Sequence, residues 1–583
     1  MKSSKEIVES YLHQKDWRVK ENSNSPFCFG GLGKYITAEV SKDYWLREVY
    51  PADIAEAYVS GHMHIHDLGG LSIYCCGYSL RDILLKGVRG IPNIPTSGPA
   101  KHFDSALNQI ANLITVFQNE ILGAVALNSF DTLLAPFVKA DRLDYRQVKQ
   151  GMQNFVYSIN SNSRAGAEPA FSNVTFDLTP PEDLMEQPCI VGGELADFTY
   201  HDCQAEMDMI NKAFYEIMLT GDDEGKLFAY PIPTYNIHRR FDWDNPNNAG
   251  LWEMAGKFGT PYFANFINSD LDISDARSMC CRLRLDLREL RRKNGGLFGS
   301  GDSTGSIGVV TLNLPRIAYE NQGNREGFFK DLDRYLQLAR RSLIIKRAWL
   351  QENIIDSKAI PAFIEYVGTM ENHFSTIGVV GMNEMCENFM GKTILDAEGK
   401  VFALEVGDHI LRKLQAFQEV DGCLYNYEAT PAESTCYRLA LRDVSDYPDI
   451  ITRGTKATPY YTNSCHIPVK DIRSINETFA HQEDLQTQFT GGTVIHVWEN
   501  GAISGDQAKA VIKAMLSTYK VPYASLSPIS RYCPEHGYIM EQVDNCPTCG
   551  ERLKKYQRIT GYLRCVDNFN DGKRAEFEER VQL

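Results

Sequence analysis

Residues 533–563 read CPEHGYIMEQVDNCPTCGERLKKYQRITGYL, and this stretch decides how the whole chain is interpreted. It holds two pairs of metal-binding residue types at chelating spacing, Cys533 with His536 and Cys546 with Cys549. Thiolate and imidazole ligands at such spacing close a tetrahedron around zinc, and four protein ligands leave no position for a reacting water. We therefore expect a structural zinc site. Iron instead of zinc, and a neighbouring cysteine in place of His536, remain open alternatives.

A glycine, Gly561, follows the last of these ligands by twelve residues. An isolated glycine ordinarily marks a turn. Glycine is also the one residue whose Cα radical is flanked by two peptide groups with no side chain to twist it out of their plane. Such a Cα can store an unpaired electron, at the cost of destruction by oxygen. The residues alone leave both interpretations open.

The composition describes an ordinary globular chain. It has 583 residues, 43% of them hydrophobic and 11% aromatic, which is enough for a large core and two to four structural units. The net charge of −15 argues against nonspecific binding of duplex nucleic acid, which depends on cationic side chains. The polar first residues lack an apolar signal core, and no run of ~18 apolar residues follows, so we expect a cytoplasmic protein.

Fifteen cysteines are spread along this chain. In a large chain without a leader they indicate reduced thiols, metal ligation and catalysis rather than a disulfide framework. Two adjacent pairs stand out, Cys75 with Cys76 and Cys280 with Cys281. Simple packing explains either pair equally well, because free cysteine is a common core residue.

Helical and strand-like patterns alternate along the chain. Apolar residues at helical spacing predict helices over 102–127 and 331–352, and β-rich runs predict strands at 306–315 and 375–384. This alternation favours an α/β architecture. The glycine-rich residues 293–305 match no phosphate-binding fingerprint and are interpreted as a loop.

The segment Arg558-Ile-Thr-Gly561-Tyr-Leu, with Asn570-Asp-Gly572-Lys573 after it, resembles the glycyl-radical loop of the anaerobic class III ribonucleoside triphosphate reductases. In that family a four-ligand zinc site lies immediately upstream, and the glycine before Tyr-Leu bears the radical. Further segments look like family segments and occur in family order: HMHIHDLGG (62–70), SMCCRLRLDLREL (278–290), TGSIGVVTLNLPRIA (304–318), YEATPAEST (427–435), YTNSCHIP (461–468) and FTGGTVIHVW (489–498). The resemblance therefore covers most of the chain.

The resemblance implies an α/β fold. We expect a ten-stranded α/β barrel of two five-stranded halves with a finger loop inside it, followed by a zinc ribbon and the radical loop. The expected boundaries are 1–60 for an N-terminal helical and extended segment, 61–527 for the barrel, and 528–583 for the ribbon and loop. Composition shifts near residue 528, where the chain becomes turn-rich and cysteine-bearing.

The resemblance also implies the reaction, in which a thiyl radical on the finger loop abstracts the 3′-hydrogen of a ribonucleoside triphosphate. Cys281, which precedes Arg282, matches the finger cysteine, and Cys280 is the alternative. A second family cysteine on an early barrel strand matches Cys75, with Cys76 as runner-up. A thiol there can donate hydrogen as the 2′-hydroxyl leaves, because its S–H bond is weak.

Substrate phosphates are expected at a helix N-terminus after EATPAEST, where backbone N–H groups and the hydroxyls of Thr430, Ser434 and Thr435 meet an anion. Ordinary helix capping explains the same residues.

Partners follow from the resemblance. They are a radical-SAM activating enzyme, ribonucleoside triphosphate substrates, ATP and dNTP effectors, and a second copy in a homodimer. Many relatives begin with an ATP-binding cone, for which this chain has no room ahead of the family-like segment near Asp16, so we expect no on/off control through a cone. Ser306 stands where formate users tend to carry asparagine, which favours a thioredoxin- or glutaredoxin-like reductant over formate. A disulfide between Cys75 and Cys281 would then form at each turnover.

Two other functions compete with this one. A lyase or dehydratase of the glycyl-radical type shares the loop and the barrel, and the ribbon alone fits a nucleic-acid-binding protein. The EATPAEST segment and the form of the radical loop argue against the first. The net negative charge argues against a nucleic-acid-binding protein.

Overall fold

The fold was analysed in a computed structural model. It describes residues 2–14, 17, 19, 27–161, 168–268 and 303–583, together with the backbone of the paired strands Ala276–Ser278 and Arg284–Asp286. The predicted finger loop, with Cys280 and Cys281, lies outside the described residues.

In the described residues the central sheet has eleven strands, and ten of them follow one another across it. They are β1 Cys75–Tyr78, β2 Val125–Leu127, β3 Ser172–Phe176, β4 Ile232–His238, β5 Tyr262–Phe266, β6 Gly305–Asn313, β7 His373–Val380, β8 Tyr425–Glu428, β9 Ile495–Glu499 and β10 Tyr523–Pro528. Short strands elsewhere are Met63–Ile65, which pairs with β6, and the hairpins Pro188–Val191 with Glu194–Thr199 and Arg453–Gly454 with Pro459–Tyr460.

The ten strands form two parallel halves. Strands β1 to β5 run parallel to one another, as do β6 to β8 and the pair β9 and β10. The halves meet antiparallel where β1 pairs with β6 and β5 with β10. Between β8 and β9, the N–H of Gly491 donates to the carbonyl of Tyr427 at 2.7 Å, and that of Ala429 to the carbonyl of Gly492 at 2.8 Å. The predicted ten-stranded barrel of two five-stranded halves is confirmed.

Helices surround the barrel and precede it. They are α1 Ser4–Leu12, α2 Phe29–Tyr44, α3 Ala52–Val59, α4 Leu80–Lys86, α5 Phe103–Glu120, α6 Phe130–Ala140, α7 Tyr145–Ile159, α8 Glu182–Met185, α9 Gln204–Thr220, α10 Ala249–Phe258, α11 Leu314–Glu320, α12 Arg325–Leu350, α13 Pro361–Tyr366, α14 Met382–Met390, α15 Ala397–Asp421, α16 Glu433–Asp446, α17 Ile475–Thr487, α18 Gly505–Thr518 and α19 Asp571–Glu579. Short π-helical turns follow α2 and α12, at Trp45–Val49 and Gln351–Ile355. No helix in the part of the chain that the structure describes is long and apolar enough to span a bilayer.

One predicted element is corrected. The helix expected over 102–127 ends at Glu120, and Val125–Leu127 forms strand β2. Ile121 already has extended backbone, with φ −116° and ψ 142°. A parallel strand buried on both faces is a continuous apolar run, which periodicity cannot separate from the end of an apolar helix. The helix predicted at 331–352 is confirmed as part of α12, and the strands predicted at 306–315 and 375–384 are confirmed as β6 and β7 up to Asn313 and Val380. The last residues of both predicted strands, from Leu314 and from Met382, belong to helices α11 and α14 instead.

The C-terminal unit follows β10 after one residue. Its antiparallel sheet contains β11 Ser530–Cys533, β12 Gly537–Ile539, β13 Lys554–Arg558 and β14 Leu563–Cys565, in the order β12-β11-β13-β14. Residues 559–562 join β13 to β14 and contain Gly561, and helix α19 follows.

Candidate active site and metal centre

Gly561 lies in a tight hairpin loop. Strands β13 and β14 pair up to Arg558 opposite Leu563, and the N–H of Ile559 donates to the carbonyl of Tyr562 at 3.0 Å. The loop lies against strand β5 of the barrel and the start of helix α16, and it forms hydrogen bonds with both elements.

Both peptide groups that flank the Cα of Gly561 are held by side chains. The N–H of Gly561 donates to Oε1 of Glu433, the first residue of α16, at 2.9 Å. The carbonyl oxygen accepts a short hydrogen bond from the hydroxyl of Tyr262 on β5 and a longer one, 3.4 Å, from Nη1 of Arg558. The glycine is therefore fixed by groups from two separate elements of the barrel domain.

A buried arginine braces the loop from behind. Arg580, just after α19, donates to the carbonyls of Arg558 at 2.9 Å and Ile559 at 2.8 Å. Its guanidinium pairs with Glu576 at 2.8 Å and lies 3.8 Å from the centre of the Trp498 ring on β9. The C-terminal helix thus locks the loop onto the barrel.

The segment Asn570–Lys573 seats helix α19 on α16. The side chain of Asn570 caps α19 by accepting from the N–H of Lys573 at 2.8 Å. A Cβ added at Gly572 would come within 2.6 Å of the ring of Tyr437 on α16, so a glycine is needed for this close approach.

Four side chains in residues 530–558 of the C-terminal unit, which we call the ribbon, have the geometry of a tetrahedral metal site. The Sγ of Cys533 lies 3.6 Å from the Sγ of Cys549 and 3.6 Å from Nδ1 of His536. The Sγ of Cys546 lies 3.6 Å from the same Nδ1, and the four ligand atoms lie within 4.8 Å of one another. Ligands around zinc, with bonds of about 2.3 Å to sulfur and about 2.0 Å to nitrogen, would be about 3.5–3.8 Å apart. The residues fit zinc, and His536 is part of the group.

The four candidate metal ligands lie beside the strands that carry the Gly561 loop. Cys533 ends β11, which pairs with β13, and it is buried with Cys546 against Leu553. The backbone N–H of Cys549 lowers the pKa of the Cys546 thiol to about 6, which favours the thiolate that a metal binds.

Cys75 and Cys76 lie on opposite faces of β1, because side chains alternate along a strand. Cys76 shares its face with Tyr78, whose ring stacks on Phe117 of helix α5 at 3.6 Å, and it belongs to the main apolar core. Burial raises the pKa of the Cys76 thiol well above its usual value. Cys75 faces the barrel interior, and its Sγ accepts from the N–H of Ala124 at 3.3 Å.

Polar groups continue across the interior from Cys75. Ser306 lies opposite Cys75 on β6, and its hydroxyl is 2.8 Å from that of Thr376 on β7. Thr376 is in register with Asn426 on β8, whose amide is buried with no hydrogen-bond partner among the described residues. The barrel interior beside Cys75 therefore offers polar groups to a polar ligand.

Helix α16 begins at Glu433 without a side-chain cap, since its N-cap residue is Ala432. Thr430 and Thr435 are buried there and Ser434 is partly exposed. The Thr430 hydroxyl does not cap the helix and has no hydrogen-bond partner in the described part of the chain. An uncapped helix N-terminus beside the unpartnered hydroxyl of Thr430 suits an anion.

The HMHIHD segment joins the barrel to α16. Nδ1 of His64 lies 3.0 Å from Nη1 of Arg438 on α16, and Nε2 of His66 lies 2.8 Å from the hydroxyl of Thr311 on β6. Burial lowers the pKa of His66 to about 3, so its ring is neutral at pH 7. These contacts are structural.

The sequence did not single out two of the side chains on Gly561. Glu433 lies inside the EATPAEST segment but was not distinguished from its neighbours. Nothing in the sequence marks Tyr262, which is one tyrosine of 29 and 299 residues away from Gly561. Only the folded barrel brings these residues together.

Comparison with known proteins gives consistent matches. The family model for anaerobic ribonucleoside-triphosphate reductase matches residues 21–583. A curated relative, the anaerobic ribonucleoside-triphosphate reductase of Escherichia coli (strain K12), is 24% identical over 93% of this chain and 80% of its own length.

Solved structures share the fold. The anaerobic ribonucleotide reductase of Thermotoga maritima, described with dATP bound in the specificity site, matches with a TM-score of 0.76 and 22% identity over 97% of this chain and 94% of its own. The hydroxyproline dehydratase of Clostridioides difficile matches less well, with a TM-score of 0.58 and 11% identity over 97% of this chain and 88% of its own. The barrel fold is thus shared with a dehydratase, but the family model that matches this chain is the one for the reductases.

Proposed function

The chain belongs to the family of anaerobic ribonucleoside-triphosphate reductases, and we propose that Gly561 stores the radical with which it reduces ribonucleotides. Reduction of ribonucleotides by a glycyl-radical mechanism is the activity of this family, and neither a lyase nor a nucleic-acid-binding ribbon accounts for the match over residues 21–583. The observation that carries the assignment of Gly561 is its place at the tip of a braced hairpin, with both peptide groups held by barrel side chains.

Two thiols carry the chemistry in this proposal. The Gly561 radical takes the S–H hydrogen of Cys281, and the thiyl radical so formed takes the 3′-hydrogen of the ribose. Cys75 donates hydrogen as the 2′-hydroxyl leaves as water. The 3′ carbon then regains a hydrogen and the radical returns to Gly561. In sum, one ribonucleoside triphosphate and two thiols give one deoxyribonucleoside triphosphate, one water and a disulfide between Cys75 and Cys281. A thioredoxin- or glutaredoxin-like dithiol protein reduces that disulfide and is itself oxidised.

The orientation of Cys75 supports its role over that of Cys76. Its thiol shares the interior face with Ser306 and Thr376, whereas Cys76 is packed under helix α5. Cys281, with Cys280 as the alternative, remains a proposal from the sequence.

Substrate phosphates are proposed to bind at the N-terminus of α16. The uncapped backbone N–H groups and the hydroxyls of Thr430, Ser434 and Thr435 supply neutral donors, and the helix dipole favours negative charge. This end of α16 also holds Glu433, so the phosphate site and the radical loop share one element.

Zinc is the metal that we propose for Cys533, His536, Cys546 and Cys549. With four protein ligands it would supply structural support and no catalysis. These residues would hold β11 against β13 and so keep the radical loop in place.

The proposed partners are a radical-SAM activating enzyme, the dithiol reductant, ATP and dNTP effectors, and a second copy in a homodimer. The Thermotoga maritima relative is described with dATP in a specificity site, which supports nucleotide effectors.

Electron paramagnetic resonance tests the assignment. The protein is incubated anaerobically with a radical-SAM activase, S-adenosylmethionine and a reductant, and a glycyl doublet is expected. Gly561→Ala should abolish the doublet. Gly33→Ala is the matched control, because an added Cβ there meets nothing within 4 Å. A doublet that persists in Gly561→Ala would contradict the assignment of the radical to Gly561. An intact backbone at Gly561 after active enzyme is exposed to air would also contradict it.

A further inference from the structure

The hydrogen bonds on Gly561 have opposite characters on its two sides. On the N–H side the acceptor is a carboxylate, that of Glu433 at 2.9 Å. On the carbonyl side the donors are the phenol of Tyr262 and the guanidinium of Arg558. The amide N–H of Gly561 is therefore hydrogen-bonded to a negatively charged group, and its carbonyl oxygen is hydrogen-bonded to proton donors.

This polarity matches the electronic needs of a Cα radical. The unpaired electron on a glycine Cα spreads over the amide nitrogen, which gives electron density, and the adjacent carbonyl, which accepts it. A carboxylate on the N–H makes the nitrogen a better electron donor, because hydrogen bonds to charged groups are strong and polarise the donor. Donors on the carbonyl oxygen make that group a better acceptor.

The geometry points to Glu433 and Tyr262 as positioning residues that stabilise the Gly561 radical by polarising its two flanking peptide groups in opposite directions. This inference rests on the proposed function of Gly561. It adds two residues to the radical site, one from the start of helix α16 and one from barrel strand β5.

The ring of Tyr262 is held by contacts other than its hydrogen bond to Gly561. The guanidinium of Arg558 lies 4.0 Å from the centre of the Tyr262 ring and donates to the carbonyls of Gly259 and, at 3.1 Å, Thr260. Tyr262 itself is 1% exposed. The phenol is thus held in place before any radical forms, so the hydrogen bond requires little reorganisation.

A purely structural role for Glu433 is the competing explanation. An acidic residue in the first turn stabilises a helix through the helix dipole, and a hydrogen bond to Gly561 would anchor the loop whether or not a radical forms. Both explanations predict some loss of radical yield on substitution. Only the electronic role predicts a change in how the spin is distributed, and this difference defines the test.

The experiment compares activated Glu433→Gln, Glu433→Ala and Tyr262→Phe enzymes with the wild type by electron paramagnetic and electron–nuclear double resonance, in H2O and D2O. Glu433→Gln keeps a neutral acceptor of the same shape, and Glu433→Ala has none. We expect the coupling of the exchangeable N–H proton to decrease in the order wild type, Gln, Ala. The doublet splitting should widen as spin returns to Cα, and the anaerobic half-life of the radical should shorten several-fold.

Two exposed residues provide matched controls. Glu398→Gln changes a glutamate in the first turn of α15, and Tyr157→Phe changes a tyrosine on α7 that is 41% exposed. Both should give wild-type spectra.

The decisive measurement is the hyperfine coupling of the radical that forms in each variant. Unchanged couplings in Glu433→Gln and Tyr262→Phe would overturn the inference, whatever the yield. If Glu433→Ala does not fold, those two conservative variants decide the matter. A wild-type enzyme that gives no glycyl doublet would instead refute the proposed function of Gly561, so the two failures are distinct.

Discussion

At the scale of single residues, the site depends on side chains that alternate across one strand. Cys75 and Cys76 are neighbours in sequence but face the barrel interior and the outer core respectively. Their chemical environments differ accordingly, because one thiol borders a polar interior and the other lies in the main apolar core. The strand therefore places two thiols that are adjacent in sequence in different surroundings.

Substitution of these two cysteines separates their roles. Cys75→Ser should abolish deoxyribonucleotide formation and leave the glycyl doublet intact, because serine has no weak bond to hydrogen. Cys76→Ser should keep the activity and lose about 1–3 kcal/mol of stability, since it buries a hydroxyl in an apolar core. Product assays and thermal unfolding measure the two effects. Turnover that survives in Cys75→Ser and disappears in Cys76→Ser would exchange the assignments.

At the scale of elements, the hairpin that carries Gly561 is supported from three sides. The candidate metal ligands would hold the base of β13 through β11, Arg580 after helix α19 binds the carbonyls of Arg558 and Ile559, and α16 and β5 contact the tip. Each support depends on different residues and can be weakened by its own substitution. The effect of each substitution on the radical yield can then be measured.

Loss of the metal should disorder the ribbon and lower the radical yield without affecting the barrel. Metal binding contributes directly to the folding of small sites of this kind. The measurements are metal content, glycyl-radical yield and far-ultraviolet circular dichroism of Cys546→Ser and of chelated enzyme, with zinc added back as a control. A full radical yield in metal-free Cys546→Ser would show that the loop needs no such support.

Gly572→Ala should displace helix α19 from α16. The added methyl group meets the Tyr437 ring, and overpacking of this kind costs about 1–3 kcal/mol. We expect a lower unfolding temperature and a lower radical yield. In a Tyr437→Ala background the ring atoms nearest the new methyl group are gone, so Gly572→Ala should cost less stability there than in the wild type. An equal cost in the two backgrounds would refute the steric explanation.

At the scale of the whole molecule, the protein holds neutral histidines inside the fold: His66, partly buried just ahead of strand β1, and His373, fully buried at the start of strand β7. Burial lowers the pKa of His66 and of His373 to about 3, below their ordinary range. Between that value and about pH 6.5 the unfolded chain binds more protons at these rings than the folded one, so stability rises with pH through this window and is lost as the pH falls.

His66→Gln should weaken this acid sensitivity. For each such histidine the dependence is at most about 1.4 kcal/mol per pH unit between pH 6.5 and 3. The unfolding temperature of the wild type and of His66→Gln would be measured from pH 7 to pH 4. Contributions common to both proteins, including protonation of the metal ligands, cancel in the difference. Parallel curves would contradict the assignment of a neutral His66.

The sequence by itself determined much of this protein. The spacing of Cys533, His536, Cys546 and Cys549 predicted the metal group, since chelating ligands are close in sequence. The ordered segments around Gly561 predicted the barrel and the reaction class through family resemblance. Local patterns predicted α12, β6 and β7, and failed at residues 121–127, where a buried strand reads as a continuation of an apolar helix.

Only the tertiary structure decided which groups touch Gly561. Glu433 and Tyr262 are 128 and 299 residues away from it in sequence, and the closing of the two half-barrels brings them to the same loop. Contacts at such separations depend on strand order and register, which arise from the packing of the whole chain and leave no local pattern. The sequence could name the glycine, but the polarity of its surroundings is a property of the fold.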